Sequence, residues 1–162
     1  VKKVRTDTAN INASRSLQKT RRIFIVDDEE IFCKMVFDIL HPLGYRLLTC
    51  NDGSDAVEYY RKLDASIDLV LLDMRMPDMN GYESFLNIQK INPDIKAIIV
   101  TGYALDGDIR KILASGALYV LKKPFDYITL VEKIGEAMPK KDGEDNQESH
   151  ADKARAEDFK LI

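Results

Sequence analysis

Five short strand-like runs recur along this chain, at 23–26, 45–49, 69–72, 95–100 and 118–121, and each is followed by a stretch that reads as helical. The run at 69–72, LVLL, is continuously apolar, and a run of that length reads as a strand buried on both faces. The helical stretches begin after the acidic cluster at 27–30, then fall at about 55–63, 81–91, 106–115 and 127–138. In the first helix Ile31, Met35 and Ile39 recur four apart on the apolar face, and Pro42 and Gly44 close it. In the last, Leu130, Ile134 and Met138 share one side. Strands alternating with helices predict an α/β fold, a parallel sheet covered on both faces.

A chain of 162 residues holds one ordinary domain with tails. With 45% hydrophobic and 31% charged residues it suits a water-soluble protein, and no apolar run reaches membrane-spanning length. These features predict a cytoplasmic protein. The cysteines, Cys33 and Cys50, lack metal-ligand spacing and read as reduced and buried, although spacing alone leaves a disulfide open. Residues 1–22 carry seven Lys/Arg against one Asp and read as a basic linker or arm. Residues 23–139 form the predicted domain, with nineteen acids against twelve bases, a balance of −7. Residues 140–162 read as a charged tail in which 150–161 resembles a marginal helix.

The strand ends carry the chemistry. Asp27 and Asp28 follow the first strand, Asp73 the third, Thr101 the fourth and Lys123 the fifth. In a parallel sheet these groups share the carboxyl edge, where open α/β sheets bind ligands. Three carboxylates in one site repel unless a cation offsets them, and a hard divalent ion such as Mg²⁺ suits oxygen ligands. Carboxylates, a divalent ion, an ammonium and a hydroxyl together suit phosphoryl transfer, with Asp73 as acceptor.

The segments VDDEE, LVLLDMRMPDMNGYE, IIVTGY and VLKKPF resemble those of the receiver domains of two-component response regulators, over about 22–138. The resemblance implies a flavodoxin-like, doubly wound sheet of order 2-1-3-4-5 with five helices. It implies phosphorylation of Asp73 from the phosphohistidine of a sensor histidine kinase or phosphotransfer protein. Asp28, Asp73 and the main-chain carbonyl of Arg75 would ligate Mg²⁺, with Asp27 acting largely through water. Lys123 would contact the phosphoryl group, and the peptide before Pro124 would be cis. Thr101 would turn inward, repacking the surface of the fourth helix, fifth strand and fifth helix; this surface would meet an output partner or a second copy in a homodimer. The position that often carries an aromatic relay is Val120, beside Tyr119. Arg75 and Tyr103 match positions flanking the route of the hydrolytic water, and their bulk predicts slow self-dephosphorylation.

The resemblance describes a switch rather than a turnover enzyme. It fits a stand-alone regulator or a receiver fused to a hybrid sensor kinase. An aspartyl-phosphate phosphatase of the haloacid dehalogenase type would want a second Asp where Arg75 stands. A flavin or nucleotide binder would want a Gly-rich loop in place of VDDEE. A binding module that is never phosphorylated would have no use for the complete acceptor set. The basic arm alone would give nucleic acid only salt-sensitive, nonspecific affinity, and no nucleic-acid partner is expected.

Overall fold

The computed structural model describes residues 20–139 apart from 64–65, 78 and 103–105. The five strands are β1 (Arg22–Val26), β2 (Arg46–Cys50), β3 (Leu69–Asp73), β4 (Lys96–Thr101) and β5 (Tyr119–Lys122). The helices are α1 (Glu30–Leu40), α2 (Gly53–Lys62), α3 (Gly81–Ile91), α4 (Asp106–Ala114) and α5 (Tyr127–Ala137). All pairings are parallel and the order is β2-β1-β3-β4-β5, the flavodoxin-like arrangement expected from the sequence. The expected tail helix at 150–161 and the arm at 1–19 lie outside the described residues.

Alternation along the strands sends side chains to two separate cores. Phe24, Val26, Val70, Leu72, Ala97 and Ile99 pack with Ala56 and Tyr60 of α2, Phe85 and Ile88 of α3, and Ile112 of α4. Ile23, Ile25, Leu69, Leu71, Ile98 and Val100 pack with Val36 and Leu40 of α1 and with Leu130 and Ile134 of α5. Every residue of β3 is buried, as its apolar run requires. At the sheet edge β2 is largely exposed except for Cys50, and it lies one residue later than the sequence reading placed it.

Helix starts are capped by their own sequence. Asp52, Asn80 and Asp126 each accept a hydrogen bond from the backbone N–H three residues on, at 2.7–2.9 Å. The Asp52 cap explains why α2 begins at Gly53, before the expected Asp55. At the other end of the molecule, Arg21 donates to the carbonyls of Met138 and Pro139 and Lys96 to that of Ala137, placing cations where the α5 dipole is negative.

The inward face of α1 differs from the expectation. Ile31 and Met35 are 86% and 43% exposed, whereas Cys33, Val36 and Leu40 are buried; Ile39 of the expected stripe is half-buried against the same core. Both sets are apolar at helical spacing, and the approach of α1 to β1 selects the second. Both cysteines are buried and free, in agreement with the reduced reading.

Candidate functional site

Strand register assembles the site. Val26 lies opposite Leu72, so the residues that follow them, Asp27 and Asp73, emerge side by side. Asp73 lies opposite Val100, and Thr101 opposite Lys122, which brings the fourth and fifth strand ends to the same edge. Asp27, Asp28 and Asp73 each offer a carboxylate oxygen, and these oxygens all lie within 4.8 Å of one another. Asp27 and Asp73 are buried; Asp28 is exposed.

Lys123 reaches back into this cluster. Its Nζ lies 2.9 Å from Asp27 Oδ2, 3.2 Å from Asp73 Oδ1 and 3.3 Å from Glu29 Oε1. Backbone amides complete the carboxylate shell: Glu29 N–H donates to Asp27 Oδ1 at 2.9 Å, and Arg75 N–H donates to Asp73 Oδ2 at 2.7 Å. The Asp27 carbonyl accepts from Asn51 Nδ2 at 3.0 Å and from Cys33 Sγ at 3.4 Å. Thr101 is fully buried at the end of β4, its carbonyl accepting from Lys123 N–H at 2.7 Å. The Lys123–Pro124 peptide is cis, as expected.

The α3 start is pressed against the end of β3. Gly81 N–H donates to the Met74 carbonyl at 3.2 Å. A Cβ at Gly81 would fall 1.9 Å from the Asp73 carbonyl oxygen, so only glycine permits this approach.

Charge in the cluster is unbalanced. Burial pushes the Asp27 carboxyl above its ordinary range, outweighing the hydrogen bonds from Lys123 and Glu29. Burial also raises Asp73, against the opposing pull of the Lys123 charge. For Lys123 burial pulls downward, and the Asp27 hydrogen bond with the Asp73 and Asp27 charges more than offsets it, so the ammonium is held firmly charged. A salt-bridged carboxylate ordinarily shifts down; here desolvation and mutual repulsion prevail because one ammonium is shared among three acids.

A divalent ion fits this donor set. Oxygens about 2.1 Å from an octahedral ion lie roughly 3 Å apart when adjacent and roughly 4 Å when opposite. The observed grouping within 4.8 Å needs only small shifts to match.

The matching edge, acids and lysine agree with a known family. Residues 23–135 match the response regulator receiver domain. The chain belongs to this family. Receiver domains are phosphoacceptor switches of two-component phosphorelays rather than classical enzymes. As a class they bind Mg²⁺ in an acidic pocket and work with histidine kinases or phosphotransfer proteins and with output domains.

Among its relatives, the transcriptional regulatory protein ZraR of Klebsiella oxytoca is 37% identical over 116 residues, covering 72% of this chain and 26% of ZraR. The chemotaxis protein CheY of Treponema pallidum is 30% identical over 118 residues, covering 72% of this chain and 82% of CheY. The sensor kinase CckA of Brucella abortus is 30% identical over 132 residues, 82% of this chain but 14% of the kinase. This receiver thus spans a small part of two relatives and most of the third. In structure it resembles the CheX–CheY–BeF3–Mg complex from Borrelia burgdorferi, with TM-score 0.71 and 26% identity, covering 74% of this chain and 90% of that one.

Of the residues singled out from the sequence, Asp27, Asp28 and Asp73 group within 4.8 Å, Lys123 contacts Asp27 and Asp73, Thr101 stands at the adjoining strand end, and Arg75 contributes a backbone amide while lying exposed. Tyr103 lies outside the described residues. Val120 is half-buried against the α2–α3–α4 core, and Tyr119 against the α1–α5 core. Sequence reasoning missed Glu29 and Phe32 around Lys123 and Asn51 on the Asp27 carbonyl. Glu29 was visible in the acidic run and Phe32 one helical turn beyond Asp28, but nothing in the sequence said that a lysine would arrive between them. No helix among the described residues is long and apolar enough to cross a membrane.

Proposed function

We propose that Asp73 is the phosphoacceptor of this receiver. An Asp73 carboxylate oxygen attacks the phosphorus of a phosphohistidine, and the P–N bond breaks as the O–P bond forms. Lys123 Nζ, 3.2 Å from Asp73 Oδ1, is the observation that carries this reading. It is poised to meet a phosphoryl oxygen. Asp27, Asp28 and Asp73, with the main-chain carbonyl of Arg75, would hold Mg²⁺, which supplies neutralisation of phosphoryl charge. Thr101 donates its hydroxyl to the modified Asp73, and the surface of α4, β5 and α5 repacks in response.

The domain is residues 23–139, with 1–22 as a basic linker and 140–162 as a charged tail. Its partners are a sensor histidine kinase or phosphotransfer protein in the cytoplasm, an output protein, and a second copy through α4, β5 and α5. Similarity to part of CckA supports a place within a hybrid kinase as the second reading. Arg75 and Tyr103 would slow self-dephosphorylation by crowding the hydrolytic water.

Intact-protein mass spectrometry after incubation with Mg²⁺ and acetyl phosphate tests the acceptor. One phosphoryl adduct in the wild type and none in Asp73→Asn is expected. Equal adducts on both proteins would put the acceptor elsewhere.

A further inference from the structure

Lys123 has a neighbour that carries no charge. Its Nζ sits 4.0 Å from the centroid of the Phe32 ring, and Phe125 stands edge-on to that ring, with centroids 6.0 Å apart and planes at 88°. Both rings are half-buried and pack against the α1–α5 core. The face of an aromatic ring is electrically negative and attracts an ammonium within about 6 Å, more strongly where water is partly excluded. The Lys123 side chain is only 20% exposed.

We infer that Phe32, buttressed by Phe125, is a positioning residue that holds the Lys123 ammonium in place over the acceptor carboxylate. A lysine is a point charge on a flexible four-carbon stem, and Glu29, 67% exposed, offers it a route toward solvent. Nζ rests against both the Asp27 and Asp73 carboxylates, 2.9 and 3.2 Å away, while Glu29 competes for it from the solvent side at 3.3 Å. The ring, 4.0 Å away, adds an attraction that keeps Nζ beside these carboxylates and off the solvent route. Unlike another carboxylate, it holds the ammonium without cancelling its charge, which stays available for the phosphoryl oxygens. Edge-to-face contact with Phe125 fixes the plane that Lys123 meets.

This inference rests on Asp73 being the acceptor, and its test separates the two. The full chain is compared with Phe32→Leu, Phe32→Met and Phe32→Trp. The readouts are the rate of Asp73 phosphorylation by acetyl phosphate, and the proton shifts of the Lys123 ε-methylene by NMR. In the wild type the ring should move those protons upfield. Leu and Met fill space without a π face; each should abolish the upfield shift and slow phosphorylation about 3- to 10-fold. Trp should restore both, which filling the core would not do. A wild-type chain whose Lys123 protons show no ring shift overturns the inference without needing any variant to fold. So does a Leu or Met variant that phosphorylates at the wild-type rate. A wild type that takes no phosphoryl group at Asp73 overturns the acceptor reading and, with it, the inference.

Discussion

Glu29 occupies the N-cap position of α1, yet its side chain makes no capping bond; its carboxylate lies 3.3 Å from Lys123 Nζ instead. A capping bond is ordinarily worth about 1 kcal/mol, so α1 forgoes a stabilisation that α2, α3 and α5 all have. The exposed pair with Lys123 contributes little to stability, because water screens it. What it changes is the field at Asp73, the proposed acceptor: one more negative charge faces any anionic phosphodonor. Glu29→Gln should therefore raise the rate of phosphorylation by acetyl phosphate roughly two- to fivefold at low salt, and the gain should shrink as salt is added. Stopped-flow or mass-spectrometric rates at two ionic strengths check this; a slower variant would mean that Glu29 helps to place Lys123. The acids and lysine were legible in the sequence because each ends a strand-like run, and parallel strands bring their ends together. Glu29, Phe32 and Phe125 were not, since which side chains a long lysine touches depends on how α1 sits against β5.

At the scale of elements, α1 shows where periodicity stops being decisive. Its sequence carries two apolar stripes, one through Ile31, Met35 and Ile39, the other through Cys33, Val36 and Leu40; the second is buried, and of the first only Ile39 packs against the core. Val36→Ala should cost about 2 kcal/mol in urea unfolding, whereas Ile31→Lys should stay within about 0.5 kcal/mol of wild type. Equal costs would return Ile31 to the core. The central strand β3 raised no such ambiguity: it matched its apolar run and added only Asp73. β2, β4 and β5 each lie one residue later than their apolar runs suggested, because an apolar run marks burial and not the residue at which ladder pairing begins. The junction of β3 with α3 is stricter. Gly81→Ala places a methyl within 1.9 Å of the Asp73 carbonyl oxygen, so the start of α3 or the acceptor loop must move. A loss of about 3 kcal/mol is expected, together with slower phosphorylation of the fraction that remains folded.

For the whole molecule, the same burial that readies Asp73 also weakens the fold. Asp73 and Asp27 both have carboxyls raised above 3.8, chiefly by burial, so the folded chain binds protons more tightly than the unfolded one. Stability then falls as pH rises from 3.8 through the raised values, and the cost is complete once pH exceeds them. Asp73→Asn removes one buried charge and keeps an oxygen for the Arg75 N–H. Its thermal midpoint should match the wild type in acid, below 3.8, and exceed it increasingly as pH rises to neutrality. A divalent ion should offset the same repulsion. At neutral pH, Mg²⁺ at about a hundred times its Kd should stabilise the wild type by about 2.7 kcal/mol, roughly a 10 °C rise in midpoint for a domain of this size. The rise should be smaller in Asp73→Asn, which offers the ion an amide in place of a carboxylate, and smaller again in acid, where the ligands are protonated. Thermal scans of both proteins at two pH values, with and without Mg²⁺, measure all of these differences together. An Mg²⁺ effect of equal size in both proteins would place the ion away from Asp73, and the raised carboxyls would then reflect burial with nothing to relieve it.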